Sequence, residues 1–314
     1  MIFIYYTLVC ILLFVLQLLY FKIADKYNII DKPNLRSSHT NITLRGGGII
    51  FYLGAIIYFI LNNFQYPYFI TGLSLIAAIS FIDDIRPISS KFRLPVHFAA
   101  MVLMFNDWNL YSMPWYFTLL ALIFSVGIIN ACNFMDGING LTGVYSISVL
   151  ITLLFVNENR FNFIDNKLIY ILLIAVMVFS FFNFRKKARC FAGDVGSVSI
   201  AFIIVFLLGR LIIFSGDYRY ILFLGVYGVD TVLTIIHRIK LKENIFVSHR
   251  KHAYQIMANE LNFSHLGISL FYSSLQLILS FTTIYNYIIA IFLTILIGLA
   301  YILFMRKYFH LHKY

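Results

Sequence analysis

Acidic side chains are scarce in this chain. Asp and Glu number 13 in 314 residues, and all charged residues together make up 12%, against roughly a quarter in a soluble domain. That shortage excludes a water-soluble globular protein. The 61% hydrophobic content and the mean hydropathy of +0.87 point instead to a polytopic membrane protein. Cysteine is scarce too: Cys10, Cys132 and Cys190 lie in or near apolar segments without metal-type spacing, and they read as inert. The first apolar run, 2–20, lacks a basic stretch ahead of it and a small-residue cleavage site, so it reads as a retained span rather than a signal peptide. No hydrophilic stretch is long enough for a soluble domain, which leaves a single integral membrane domain, 1–314. The net charge of +11 does not imply nucleic acid. Its basic residues are divided among short loops between spans, where membrane orientation and anionic substrates account for them.

About eleven apolar segments stand out against the roughly 17 to 25 residues that a membrane-crossing helix needs. They are 2–20, 47–62, 67–82, 94–105, 114–130, 141–157, 167–184, 197–214, 219–236, 264–282 and 285–305. The fold class that follows is all-α, a polytopic membrane helix bundle. Segment 94–105 is short for a span, yet the topology turns on it, because without it Asp83 would lie on the opposite face from Asp136 and Asp194. With the N-terminus outside, 20 of the 24 basic residues fall on one side. This bias makes that side cytoplasmic, and the C-terminus with it. Arg160, Lys167, Arg219 and the intramembrane Arg210 are the exceptions; Arg210 is expected to snorkel to the interface.

Rarity gives the remaining carboxylates meaning. Asp83, Asp84, Asp136 and Asp194 stand at the ends of long apolar runs, flanked by glycine, asparagine and basic residues. A charged carboxylate near hydrocarbon is costly unless paired, hydrated or metal-bound, so all four are functional candidates. The neighbours Asp83 and Asp84, in FIDDIRPIS, cannot both be dry and ionised without a cation. One suits a general base, or both could support a metal; ordinary solvated charges at a helix end are the plainer alternative. Asp194, in FAGDVGS, lies between Gly193 and Gly196 directly before a span. Its small neighbours leave room for a hydrated Mg²⁺, the plain alternative being a helix N-cap.

The loop NACNFMDGINGL holds no Lys or Arg, and its Asn130, Asn133, Asp136 and Asn139 recur every three residues. That spacing predicts one helical face, with amides suited to a nucleobase and Asp136 to a cation or hydroxyl, or else a capping and turn role. The first cytoplasmic loop, DKPNLRSSHTNITLRGGGI, carries Lys32, Arg36, His39, Arg45 and the run Gly46–Gly48. Bare glycine backbone there could approach a ligand and offer N–H groups to phosphate oxygens, if the loop is more than a flexible positive-inside connection. The segment HRIKLKENIFVSHRKHAYQ gathers Arg238, Lys240, Lys242, His249, Arg250, Lys251 and His252, which would surround a polyanion or lie on anionic lipid. It has no Cys and its one acid, Glu243, is not at a zinc spacing, so no zinc site is expected. Asp230 lies two turns before His237 on the same helix face and could orient that cluster.

Together these groups are the equipment for phosphoryl transfer. The motifs DKP…RSSH…RGGG, IDD, NxxNxxDGINGL, GDVGS and HR…SHRKHAYQ, in this order and over nearly the whole chain, resemble the polyprenyl-phosphate N-acetylhexosamine-1-phosphate transferases, glycosyltransferase family 4. That superfamily also holds the phospho-MurNAc-pentapeptide translocase, but the SHRKHAYQ ending resembles the O-antigen-initiating members more. The resemblance implies transfer of an N-acetylhexosamine 1-phosphate from a UDP-sugar to undecaprenyl phosphate with release of UMP, initiating a lipid-linked glycan such as O-antigen or teichoic acid. It implies Mg²⁺, with Mn²⁺ as a substitute, a homodimer as an allowed assembly, and a bacterial inner-membrane location with the site facing the cytoplasm. The partners it implies are UDP-N-acetylhexosamine, undecaprenyl phosphate and membrane lipid, without nucleic acid.

Carried onto this chain, the resemblance makes Asp83, Asp84 and Asp136 catalytic and Asp194 the metal ligand. Lys32, Arg45, Asn133, Asn139, Asn183, Asp230, Arg238, His249, Arg250 and His252 would bind substrate. Two departures stand out. Asn183 is one residue farther from its GD motif than in the family, and Asn139 replaces the second aspartate of the usual DGxDG. The alternative from another class is a transporter or flippase for an anionic lipid or nucleotide sugar, and a third is a non-catalytic lipid-binding scaffold. Transporters place polar groups near the midplane; here they gather at one set of helix ends, which favours an enzyme.

Overall fold

Backbone N–H and C=O groups find no partner in lipid, so each long apolar run closes its hydrogen bonds on itself as a helix. The computed structural model describes residues 2–33, 38, 41–244 and 250–311; Arg36, His39 and His249 lie outside the described residues. The helices in order are α1 (Ile2–Lys26), α2 (Ile49–Leu61), α3 (Pro67–Ile85), α4 (Ser90–Asp107), α5 (Trp115–Phe134), α6 (Leu141–Asn159), α7 (Asn166–Asn183), α8 (Gly193–Ser215), α9 (Gly225–Lys240), α10 (Ala253–Asn259), α11 (His265–Tyr285) and α12 (Tyr287–Tyr308). All eleven apolar segments are helical, and α10 is an addition within the basic segment. Among the described residues nine helical segments are long and apolar enough to cross a membrane; α2, α4 and the seven-residue α10 fall short.

Local signals set the boundaries. Pro67 opens α3, where a missing N–H costs nothing. The side chains of Ser89, Asp165, Ser264 and Asn286 each accept a backbone N–H at the start of their helices. Gly216, in the left-handed region, closes α8. Of the nine spans α8 is the most buried, at 72%, packed against α2, α3, α5 and α6. Phe69 of α3 stacks on Phe206 of α8 with ring centroids 3.9 Å apart. The short α2 is tolerated because it packs between α7, α8, α3 and α1 rather than facing lipid alone.

The depth of α4 decides the topology. At its start Arg93 pairs with Asp83 and with Asp194 in the first turn of α8. At its end the Asp107 carbonyl accepts Arg210 Nη1, from near the other end of α8, at 2.9 Å. The helix therefore traverses most of the depth of α8, about 20 Å at the α-helical rise, despite its polar residues. Segment 94–105 thus belongs to a helix that runs through the bundle beside α8. Arg210 does more than snorkel: it also donates to the Phe163 carbonyl at 3.2 Å and lies over the Tyr66 ring, bracketing the loops at the far end.

A two-residue antiparallel pair, β1 (Ile30–Asp31) with β2 (Thr43–Leu44), sits between α1 and α2. The C-terminal Phe309 packs on His237, at the same end of the bundle as Asp194, whereas Tyr5, near the N-terminus, meets Asn62 at the opposite end. A reporter fused after Phe105 should therefore report the face opposite to one inserted at Lys187, with the former outside. The same compartment for both would overturn the crossing of α4.

Candidate active site

The site is assembled around a backbone zipper. Phe191 N–H donates to the Leu44 carbonyl at 2.8 Å, Gly47 N–H to Phe191 at 2.8 Å and Gly48 N–H to Ala192 at 3.0 Å, so the chain leading into α2 runs along the chain leading into α8. The glycines make this fit possible. A Cβ on Gly48 would strike the backbone of Gly196, and one on Gly47 would strike Cys190. The sequence expectation that Gly46–Gly48 offer their N–H groups to a phosphate is corrected here: the Gly47 and Gly48 donors are spent on protein carbonyls. What the zipper delivers is Arg45, brought beside Asp194.

Three carboxylates and two guanidinium groups meet there. Arg45 Nε donates to Asp84 Oδ1 at 2.6 Å, and its Nη2 to Asp194 Oδ1 at 3.3 Å. Arg93 Nη1 donates to Asp83 Oδ2 and, at 2.8 Å, to Asp194 Oδ2. Asp84 also accepts the Asp194 and Val195 N–H groups at 2.8 and 3.0 Å, capping α8 from another helix. The two neighbouring aspartates thus separate. The Asp84 side chain is 0% exposed and fully engaged, whereas Asp83 and Asp194 retain 11% and 19%. Asp84, read as catalytic, is placed to hold Asp194 and Arg45 rather than to touch a substrate.

The asparagine-rich loop departs from a single helical face. Helix α5 ends at Phe134, and Gly140 at φ +86° turns the chain into α6. Asn130 therefore remains on α5, bonded to the Val126 carbonyl, apart from the turn that carries Asp136 and Asn139. Asn133 accepts Ser197 Oγ at 2.6 Å, and Asp136 accepts Thr142 Oγ1 at 2.6 Å. Burial pushes the Asp136 carboxyl up to about 6. Burial opposes the charge of Arg45, but the Asp84 and Asp194 carboxylates outweigh it and hold Arg45 above its ordinary range.

A cavity of about 260 Å³ opens over this arrangement, lined by Arg45, Asn133, Asp136, Asn139, Asn183 and Asp194. Two of these amides already have work. Asn139 Nδ2 donates to the Arg185 and Lys186 carbonyls at 3.0 and 3.2 Å. Asn183 accepts Gly140 N–H at 2.7 Å and donates to the Cys190 carbonyl at 2.8 Å. Among the other lining residues, Asp31, Ser38, Phe191, Gln255 and His265 were not among the candidates. Asp31, Phe191 and Gln255 stand inside motifs already singled out, but His265 carried no signal; it opens α11 behind its Ser264 cap.

The remaining candidates do not line this cavity. Lys32 is exposed beside Asp31. Asp230, buried at 2%, meets His252 Nδ1 at 3.0 Å and accepts the Tyr272 hydroxyl at 2.7 Å, which ties α9 to α10 and α11. Arg238 pairs with Glu243 and Arg250 with Glu260, both at 3.2 Å. Lys251 also pairs with Glu243, and these cations hold the Glu243 carboxyl below its ordinary range against the opposing effect of burial.

The Asn139 geometry makes a direct prediction. Asn139→Asp removes both amide donations and sets a carboxylate against two carbonyl oxygens, so it should destabilise the protein by about 1–3 kcal/mol. Thermal unfolding of the detergent-solubilised protein measures this, and an unchanged midpoint would refute the clasp.

Residues 66–212 match the family described as glycosyl transferase family 4. The chain is 25% identical over 253 residues to a probable undecaprenyl-phosphate N-acetylglucosaminyl 1-phosphate transferase of Bacillus subtilis, covering 74% of this chain and 70% of the relative. It is 28% identical over 253 residues to the phospho-N-acetylmuramoyl-pentapeptide-transferase of Thermotoga neapolitana, covering 73% and 79%. With the undecaprenyl-phosphate alpha-N-acetylglucosaminyl 1-phosphate transferase of Escherichia coli K12 it shares 26% over 229 residues, covering 64% and 60%. The stretch from α3 to α8 is thus similar to glycosyl transferase family 4, and the relatives that the chain matches over most of its length are polyprenyl-phosphate N-acetylhexosamine-1-phosphate transferases and a phospho-N-acetylmuramoyl-pentapeptide-transferase.

Proposed function

We propose that the protein transfers an N-acetylhexosamine 1-phosphate from a UDP-sugar to undecaprenyl phosphate and releases UMP, initiating a lipid-linked surface glycan at the bacterial inner membrane. The observation that carries this reading is the convergence of Asp194, Arg45, Asp136 and Asn133 on one cavity at one end of a membrane bundle. An oxygen of the lipid phosphate bonds to the sugar-bearing phosphorus. The bond from that phosphorus to the bridging oxygen breaks, and UMP departs with the oxygen. Both reactants are anions, so the site must supply positive charge in fixed positions.

The residues fit a magnesium ion. Mg²⁺ takes one or two carboxylates and completes its shell with water and substrate phosphates, and Asp194, with Asp83 nearby, offers such a set of hard oxygens. Among the described residues no cluster of three or more His, Cys, Asp or Glu could hold a metal by itself, so the ion would lean on substrate oxygens. Bound there, it would offset charge on the diphosphate.

Arg45 would donate to phosphate oxygens from the opposite side of Asp194. Asp83, the more accessible of the adjacent pair, would help Asp194 hold the ion facing the lipid phosphate, while Asp84 positions Asp194. Asn133 and Asp136 would meet the nucleotide. Bias of Lys and Arg toward this end supports a cytoplasmic site, with the C-terminus on the same side and the N-terminus outside.

Asp136 gives the pH dependence its sign. With its carboxyl raised above the ordinary value of about 4, the folded state favours the protonated form. Stability therefore falls as pH rises from there through about 6. Above that range the carboxylate is ionised in an unfavourable place and available to accept a nucleotide hydroxyl or N–H. UMP release should therefore fall as pH drops below about 6, and Asp136→Asn should lower the plateau and flatten that limb of the profile. An unaltered limb in the variant would remove Asp136 from the nucleotide site.

Membranes containing the protein, supplied with Mg²⁺, undecaprenyl phosphate and a panel of UDP-N-acetylhexosamines, should release UMP with at least one donor, and Asp194→Ala should abolish the release. UMP from no donor, or full activity in that variant, overturns the reading. The same panel identifies the sugar.

A further inference from the structure

Both carboxylate oxygens of Asp194 receive a guanidinium group, but the two arginines are held differently. Arg45 is anchored from behind: its Nε is fixed to the buried Asp84 at 2.6 Å while Nη2 reaches Asp194 Oδ1. Arg93 is held from the front alone. Its Nη1 lies between Asp83 Oδ2 and Asp194 Oδ2, bridging two carboxylates as a small cation would. Its Nε is buried without a hydrogen-bond partner. An N–H left unsatisfied in this way disfavours the pose, so the side chain gains by turning to a richer set of acceptors. The Arg93 side chain itself is 28% exposed, on a turn of α4 whose Phe92 and Leu94 are 69% and 60% exposed.

A divalent cation on Asp83 and Asp194 would need oxygens that Arg93 already uses. Three carboxylates and two guanidinium groups leave one net negative charge at this point. A divalent ion that takes the place of Arg93 on these carboxylates cancels their remaining charge and frees the guanidinium group for an incoming phosphate. We propose that Arg93 is an exchangeable counter-ion: it competes with the metal for Asp83 and Asp194, and when displaced it turns to the phosphate of the acceptor lipid. This rests on the phosphotransferase reading and makes Arg93 an acceptor-binding residue whose two poses couple metal binding to acceptor binding.

The test is Mn²⁺ titration of the purified full-length protein in detergent, followed by the electron paramagnetic resonance signal of the free ion. Arg93→Gln should bind Mn²⁺ roughly tenfold more tightly than wild type, the scale on which one contacting charge moves an ionic equilibrium. It should also raise KM for undecaprenyl phosphate more than KM for the UDP-sugar. Arg93→Met, which keeps the apolar stem, should behave alike if the glutamine variant does not fold; Arg93→Lys, which keeps the charge, should stay near the wild-type affinity. Unchanged or weaker Mn²⁺ binding in the neutral variants overturns the proposal. If Asp194→Asn still loses Mn²⁺ and wild type still releases UMP, the phosphotransferase reading survives that result. A wild type that binds no Mn²⁺ and releases no UMP overturns both.

Discussion

The Asp84 carboxylate is the point on which the site is hung. Its side chain is 0% exposed, and an ionised group so placed is tolerable only when its lone pairs are matched by well-placed donors. It receives Arg45 Nε at 2.6 Å and the N–H groups of Asp194 and Val195 at 2.8 and 3.0 Å. These donors come from the chain entering α2 and from the first turn of α8, where the helix dipole adds to the attraction. One buried charge thus fixes three segments that are far apart in sequence. Asp194 cannot drift without stripping two donors from Asp84, and Arg45 cannot leave without exposing its carboxylate to an unpaired, water-poor surrounding. The accessible carboxylate of Asp194 is held still by an inaccessible one.

The same division runs around the cavity. Asn183 joins the turn before α6 to the chain before α8 through Gly140 and Cys190. Asn139 is fastened on both its faces: its side chain holds the Arg185 and Lys186 carbonyls, and its own carbonyl accepts Ser269 Oγ of α11 at 2.9 Å. Asp230 performs a comparable task between α9, α10 and α11. Polar residues here therefore fall into those that fasten one wall to the next and those that remain turned to the cavity. An amide at position 139 suits the first group. The position needs donors facing two carbonyl oxygens, which a carboxylate cannot supply.

Much of the bundle was legible in the sequence because lipid leaves an apolar run few alternatives to a helix. Segment 94–105 is also a helix, although its polar residues weaken its hydropathy. The site was legible as a set of motifs and much less so as an arrangement. Consecutive residues on a helix point about 100° apart, so Asp83 and Asp84 are equivalent in a sequence and opposite in accessibility once α3 is packed. The glycine run could be read as a cradle for a ligand because a close approach of backbone is all that glycine announces; only the packed chain reveals that the approaching atoms belong to Cys190, Phe191 and Gly196. Arg93 passed unnoticed for the same reason, since its partners lie on α3 and α8.

Charged residues within a membrane bundle do not by themselves mark a site, and the two ends of this one show why. At the far end Arg210 satisfies itself on the Asp107 and Phe163 carbonyls, while the Asp107 and Asp165 carboxylates accept backbone N–H groups of Phe69 and Lys167. Those interactions close loops. At the near end the carboxylates outnumber the guanidinium groups that meet them, and Asp194 and Arg45 border a cavity rather than packed protein. Excess carboxylate beside open space is costly to fold. A cation and a polyanion arriving together would offset it, so the excess carboxylate in this cluster, more than the presence of charge in the membrane, distinguishes a candidate site from a structural bracket.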